Sequence, residues 1–408
     1  MSTAARLSKP AAFNLLASII LFFLASSSAP TPLYVVYQAA WGFSPITVTV
    51  VFGIYAVAVL ATLLVIGSLS DHVGRRPVLL AATLLQAAAM VVFATAGSVG
   101  ALITARVIQG VATGAAAGGV GAGMLDIDRA KGTVANAVAP MLGTATGGLA
   151  SGLMAQYLPA PTRLVYLVFG AIFVAQAIGV AFMPESVTPR EGALRSLRPR
   201  LVLPPAVRTP TLVAAPALIA TWALVGFYGS LGPSLVRRLL ASSSLVLGGL
   251  VLFALAASGA ATVLLVRDRP ARAALRAGTV ALIAGVALTL IGIANGAPGA
   301  FFVGAVLSGA GFGCGFQGAI RTVVPLAAPH QRAGVLSVLY VIAYLSMGVP
   351  AVFAGLRVVH GGGLLNTAHE YGIAVIVLAA AALAGSALSR PDAKPAAPLP
   401  QPGPVISR

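Results

Sequence analysis

The sequence predicts an all-α membrane protein with twelve transmembrane helices in two six-helix bundles and both termini in the cytoplasm. Three observations carry that expectation. Of 408 residues, 59% are hydrophobic and only 8% charged, which leaves too little polar surface to cover a soluble fold of this size. Apolar runs of about 20 residues recur along the whole length, each long enough to cross a bilayer as a helix. The positive charge is also sorted between loops. With the N-terminus in the cytoplasm, only Arg163, Arg237, Arg238 and Arg357 among the 25 Lys and Arg fall on the outer side, and only Arg106 within a span. That asymmetry is what positive-inside orientation demands. The net charge of +17 therefore follows topology, and no nucleic-acid partner is implied.

The spans run roughly over 13–37, 46–68, 77–96, 100–123, 133–157, 163–183, 210–233, 245–266, 277–295, 299–322, 333–357 and 371–389. Arg6 and Lys9 ahead of the first span resemble a signal peptide, but the many spans downstream favour an uncleaved first helix. Residues 1–184 form the expected N-terminal bundle and 210–389 the C-terminal bundle. Between them, 185–209 reads as a cytoplasmic linker whose prolines and arginines suit a solvated segment against anionic lipid headgroups. The proline-rich tail 390–408 is expected to be disordered. The first span carries SSSAPTPLY (26–34) and the seventh FYGSLGPSLV (227–236), at a comparable outer depth. Pro30 and Pro32, and Gly229, Gly232 and Pro233, weaken the helical hydrogen-bond ladder. Such matched interruptions either mark a binding region between two halves or simply kink the helices near the surface.

Several chemistries are excluded. The single cysteine, Cys314, rules out disulfides within the chain and paired-cysteine metal sites. His72, His330, His360 and His369 fall outside the membrane core and form no ligand cluster, so neither metal nor cofactor is expected. No nucleophile with a base, paired carboxylates or P-loop appears, and an enzyme is not expected.

The second and third spans are joined by GSLSDHVGRRPVLL (67–80). Gly67 and Gly74 permit tight turning, Pro77 fits the first turn of a helix, and Arg75 and Arg76 hold the loop in the cytoplasm. Asp71 is an acid in a loop that otherwise needs only positive charge; it can accept from helix N-terminal amides or pair with an arginine. Gly67, Leu69, Asp71, Gly74, Arg75 and Arg76 resemble the signature loop of the major facilitator superfamily, and the twelve spans extend the resemblance over nearly the whole chain. The resemblance implies a loop that latches the cytoplasmic helix ends and gates the inward opening. Arg129, Lys131 and Arg332 are then candidate partners for Asp71.

The fourth span carries Arg106, Gln109 and Gly110, which resemble the superfamily's R-x-x-Q-G signature. Arg106 lies roughly 9 Å below the outer face at about 1.5 Å per residue, where an unpaired arginine costs several kcal/mol or more. In related antiporters this arginine is tied to proton transfer beside an acid within the membrane. Here the eight acids Asp71, Asp126, Asp128, Glu185, Glu191, Asp268, Glu370 and Asp392 all fall in loops, at helix ends or in the tail. Arg106 is then either a structural anchor, which is the preferred assignment, or an attractor for an anionic or carbonyl-bearing substrate. The fifth span holds Gly143, Gly147 and Gly148, which resemble the drug-antiporter pattern G-P-x-x-G-G with Thr144 at the proline position. They make a smooth face for close packing. GCGFQG (313–318) in the tenth span fits G-x-G-x-x-G, but without a preceding strand it reads as glycine packing. The loop RDRPARAALR (267–276), where a second signature loop would repeat, keeps charge but no glycine and reads as an orientation signal.

The expected function is secondary active transport of a small organic solute by alternating access, in the bacterial inner membrane, by a monomer. Ser27, Tyr34, Arg106, Gln109, Trp222, Tyr228 and Gln317 are the candidate cavity residues, on spans 1, 4, 7 and 10. Efflux of a hydrophobic or drug-like compound is the first expectation. A proton-linked uptake carrier or uniporter for a neutral or anionic metabolite is the alternative, and a non-transporting sensor or scaffold a more distant one. Proton coupling stays open; it would have to use edge groups such as Asp71, Asp126 or Asp128, or a proton carried by the substrate.

Overall fold

In the computed structural model, residues 6–199 and 201–388 are described; Arg200 and the tail 390–408 lie outside them. The chain winds through α1 (Lys9–Ser28), α2 (Pro30–Trp41), α3 (Pro45–Ile66), the single turn α4 (Ser70–Val73), α5 (Arg75–Ala94), α6 (Val99–Ile127), α7 (Arg129–Tyr157) and α8 (Leu164–Ala181). The turn α9 (Ala193–Ser196) leads to α10 (Pro205–Ser230), α11 (Gly232–Leu240), α12 (Leu245–Val266), α13 (Ala271–Ala294), α14 (Pro298–Val323), α15 (Arg332–Arg357) and α16 (Gly363–Leu388). No strand occurs among the described residues.

Ten stretches among the described residues are long and apolar enough to cross a membrane, against twelve expected. Both differences have a local cause. Glycine, threonine and asparagine dilute the apolar content of the 29-residue α7, and it falls outside the ten. The last two expected spans form one helical run because Val358–Gly362 continues α15 into α16 through a kink at His360 and Gly361.

Side chains set the helix starts. Proline occupies the first turn of α1, α3, α10 and α14, where its missing N–H leaves no bond unmade. Asp128 ends α6 and begins α7, its carboxylate accepting from Lys131 N at 3.0 Å. The two expected interruptions fall at Ala29, between α1 and α2, and at Leu231, between α10 and α11.

Glycine decides how closely these helices pack. On α13, Gly278, Gly285 and Gly292 recur every seventh residue, and on α14 so do Gly304, Gly311 and Gly318. A Cβ on any of them would meet the facing helix: Cys314, Ser308 and Phe301 from one side, Thr289, Leu282 and Leu275 from the other. Gly143 and Gly147 of α7 likewise ride over the carbonyls of Leu21 and Ala25 in α1. The glycines of GCGFQG serve the same end, with Gly313 against Gly259, Gly315 against Thr221 and Gly318 against Leu275.

One apolar cluster gathers residues from Ala12 to Met183 and another from Ala220 to Ala379. Close approaches at glycines join these two stretches: backbone to backbone at Gly148 with Gly249 and Gly152 with Leu245, and onto side chains at Gly53 with Val352 and Gly355 with Thr49. All four lie toward the end remote from the signature loop.

Candidate functional site

Pro30 and Pro32 lack the N–H groups that would bond the carbonyls of Ser26 and Ser28 four residues back, so the α1–α2 junction exposes orphan acceptors inside the bundle. Helix α6 supplies a donor to the first of these and to the neighbouring Ser27 carbonyl. Gln109 Nε2 donates to Ser26 O at 3.1 Å and Arg106 Nη1 to Ser27 O at 2.8 Å. Arg106 Nη1 also donates to Gln109 Oε1 at 2.7 Å, and Nε and Nη2 both reach Tyr34 Oη, at 3.0 and 2.6 Å. The i, i+3 spacing of Arg106 and Gln109 puts both on one helix face. Next in line, Gly110 and Gly114 let α3 approach that face, since a Cβ on either would collide with its backbone.

Arg106 is 1% exposed, and among the described residues no carboxylate pairs with it. The rings of Tyr34, Tyr55 and Phe93 surround the guanidinium at 5.7, 5.2 and 5.8 Å, within cation–π range. Around this nest, Gln86 Nε2 donates to Ser26 Oγ at 2.8 Å and Ser151 Oγ to Ala29 O at 2.6 Å. The proline break is therefore built into a polar core shared by α1, α5, α6 and α7.

On the other side of this core lies a cavity of about 170 Å3 between the two chain halves. Its first-half wall comes from α1, α2, α3 and α7 and includes Ser27, Thr31, Phe52, Tyr55, Asn136, Met141 and Thr144. The second-half wall comes from α10, α12, α14 and α15 and includes Trp222, Leu252, Phe312, Phe316, Gln317, Tyr344 and Met347. Trp222 sits among Phe312, Phe316 and Tyr344 at ring separations of 5.9, 5.2 and 5.2 Å. Its buried Nε1 has no hydrogen-bond partner among the described residues, and no described lining residue is charged.

Of the seven candidate cavity residues, Ser27, Trp222 and Gln317 line this space. Tyr34, Arg106 and Gln109 do not; their polar atoms are consumed in the nest. Tyr228 points away, its Oη 2.7 Å from Thr289 Oγ1 of α13. Tyr55 and Ser27 belong to both nest and cavity, so Arg106 stands one residue layer behind the wall. The sequence reading passed over Tyr55, Asn136, Phe312, Phe316 and Tyr344. The one available signal was the i, i+4 aromatic pairing of Phe312 with Phe316 and of Tyr340 with Tyr344.

At the signature loop, Arg75 is 6% exposed and bonds two acids, Asp71 Oδ1 at 2.9 Å and Asp126 Oδ2 at 2.7 Å. This corrects the expected partners of Asp71. Lys131 instead lies 3.7 Å from Asp128, Arg332 donates to Ala327 O, and Arg129 is exposed. Glu185, just after α8, accepts from Arg75 N at 2.9 Å and Arg76 N at 3.0 Å, capping α5 where the helix dipole favours an anion. Gly74 has φ +101° and a Cβ there would strike Glu185, so both backbone and space require glycine. The loop is also tied to the segment after α8 by Ser68 Oγ donating to Ser196 O and Arg190 N to His72 O.

Apolar helices enclosing an uncharged cavity between two halves, with a charged cluster at one end, define a polytopic membrane transport protein. The sequence pattern of the Major Facilitator Superfamily matches residues 15–351; the chain belongs to that superfamily and is a transporter of small solutes, not an enzyme. Similar solved structures include a bacterial homolog of the human lysosomal transporter Spinster, inward-facing and occupied, at 14% identity and TM-score 0.72, covering 92% of this chain and 96% of that one. A variant of the nucleoside transporter NupG matches at 12% identity and TM-score 0.70, over 92% and 99%. The human organic anion transporter MFSD10 matches at 17% identity and TM-score 0.65, over 92% and 100%. No curated protein sequence matches the chain.

Proposed function

We propose that the chain exports an uncharged, hydrophobic, drug-like solute by alternating access as a secondary active transporter. The cavity wall carries this proposal, being aromatic and aliphatic, uncharged, and drawn from both halves. An anionic substrate finds no cation there, because Arg106 is committed to Tyr34, Gln109 and the Ser27 carbonyl. In this proposal twelve spans form two six-helix bundles, 1–184 and 210–389, joined by the linker 185–209. Both termini are cytoplasmic, the basic loops rest on anionic lipids of the inner membrane, and the unit is a monomer. The halves rock about the cavity, so the glycine contacts at the remote end part as the signature-loop end closes. Protons, where they drive transport, act through Asp71, Asp126 or Asp128.

Uptake of a neutral metabolite is a second reading, favoured by the Asn136 and Gln317 amides and the Ser27, Thr31 and Thr144 hydroxyls on the wall. Cells that overexpress or lack the protein, challenged with a compound panel with and without a protonophore, separate the two. Export predicts protection by overexpression that the protonophore abolishes. Sensitisation by overexpression contradicts export and supports uptake.

A further inference from the structure

Arg106 brings a positive charge without a counter-ion to the edge of the transport cavity. Its printed partners are all neutral: Tyr34 Oη, Gln109 Oε1 and Ser27 O. Asp126, the next acid along α6, lies about 30 Å away at roughly 1.5 Å per residue. Glu370, near the opposite end of the bundle, is taken up by Arg357. A buried charge with neither an acid nor bulk water beside it acts over a longer range than one at the surface.

The space it acts on is lined with rings. Tyr55, whose ring centroid is 5.2 Å from Arg106 Cζ, also lines the cavity, together with Trp222, Phe312, Phe316 and Tyr344. Taken alone, such a wall suits organic cations, because aromatic faces attract them. Arg106 opposes that attraction. A further contact of about 4 Å beyond Tyr55 puts a substrate's charge about 9 Å from the guanidinium. At that separation and an effective dielectric of about 20, repulsion between two unit charges weakens binding roughly twentyfold. The groups bonded to Arg106 turn the negative ends of their dipoles toward it, which leaves about tenfold. A carboxylate gains from the same field but gives up its hydration to a wall with no charged lining residue among those described. The field therefore acts against cations without selecting anions.

We propose that Arg106 sets the charge selectivity of the cavity, its unpaired guanidinium excluding organic cations from an aromatic cage that would otherwise bind them. This rests on the cavity being the site of an uncharged solute, and it names the residue that keeps cationic analogues out. Arg106 acts from behind the wall and touches no substrate.

The test is equilibrium binding to the purified full chain. Trp41 and Trp222 are its two tryptophans, so in a Trp41→Phe background quenching of Trp222 reports entry into the cavity. The probes are 4-nitrophenyltrimethylammonium and its uncharged isostere 1-tert-butyl-4-nitrobenzene, and the readout is the ratio of their Kd values. Arg106→Gln should shift that ratio about tenfold toward the cation. Gln109→Glu keeps Arg106 and places a carboxylate where the amide oxygen stands 2.7 Å away; it should shift the ratio similarly, and it decides the matter where Arg106→Gln fails to fold. Arg106→Lys keeps the charge while altering the packing and should leave the ratio within about twofold of wild type. An unchanged ratio in Arg106→Gln or Gln109→Glu, with the uncharged probe still bound, would overturn the inference alone. A shift in Arg106→Lys as large as in Arg106→Gln would overturn it too, by tracing the selectivity to packing. Binding of neither probe by any variant would overturn the uncharged-solute reading and the inference with it.

Discussion

Removing Gln109 should cost much less once Pro30 is gone, because Gln109 stands in for the N–H that Pro30 lacks. In the wild-type background, Gln109→Leu orphans the buried Ser26 carbonyl, at about 1–3 kcal/mol, and strips one acceptor from the Arg106 guanidinium, at about as much again. Pro30→Ala restores a backbone N–H four residues beyond Ser26, so in that background only the second loss remains. The double-mutant cycle should therefore show a coupling of about 1–2 kcal/mol. Cys314 is the only cysteine and is buried, so a thiol-reactive fluorophore reports unfolding of the purified protein without further labelling. An identical cost of Gln109→Leu in the two backgrounds would refute the capping of the proline break by α6.

Four further outcomes follow from the geometry. Gly147→Val drives side-chain atoms into the Ala25 carbonyl of α1 and should lower stability by about 1–3 kcal/mol or more, read by the same thiol assay; stability within error of wild type would contradict it. Gly285→Leu, at the centre of the seven-residue glycine repeat, should abolish folded protein on size-exclusion chromatography, whereas Gly299→Ala, with open space around its Cβ, should stay within about 0.5 kcal/mol. Arg75→Leu leaves Asp71 and Asp126 unpaired and, since those acids are partly exposed, should cost about 1–3 kcal/mol, against about 0.5 kcal/mol or less for Lys131→Ala at its exposed pair. Gly355→Val forces Thr49 and α3 away from α15; it should raise the reactivity of cysteines introduced at the remote end of the cavity, and an unchanged rate would count against closure by these contacts.

Much of the architecture is written as hydropathy. The second expected span, 46–68, matches α3 at Pro45–Ile66, and the break between α1 and α2 falls one residue before Pro30, because loss of an N–H acts locally. The seven-residue glycine spacing of α13 and α14 is equally visible in the chain, though only the structure shows that the two rows interlock. Side-chain direction was the illegible part. These helices are apolar on nearly every face, so no stripe of polarity says which residues look inward to the cavity and which toward another helix. Tyr34 and Tyr228 were therefore expected on the cavity wall, whereas one bonds Arg106 and the other Thr289. Asp126 and Glu185 converge on Arg75 from 51 and 110 residues away, a long-range pairing that no local spacing announces. Arg106 was legible as a problem, a charge without a partner acid. Its solution, the Ser27 carbonyl beside the proline break together with the Tyr34 hydroxyl and the Gln109 amide, required the fold.

The central claim, an uncharged substrate held between the two halves, is tested most directly in reconstituted vesicles. Transport of an uncharged aromatic compound is compared with that of its carboxylate analogue, in wild type and in Met141→Trp, which fills the cavity from α7. The account predicts that the uncharged compound moves at least about tenfold faster and that Met141→Trp abolishes its movement while the protein stays folded. Preferential movement of the carboxylate, or full activity in Met141→Trp, would contradict it.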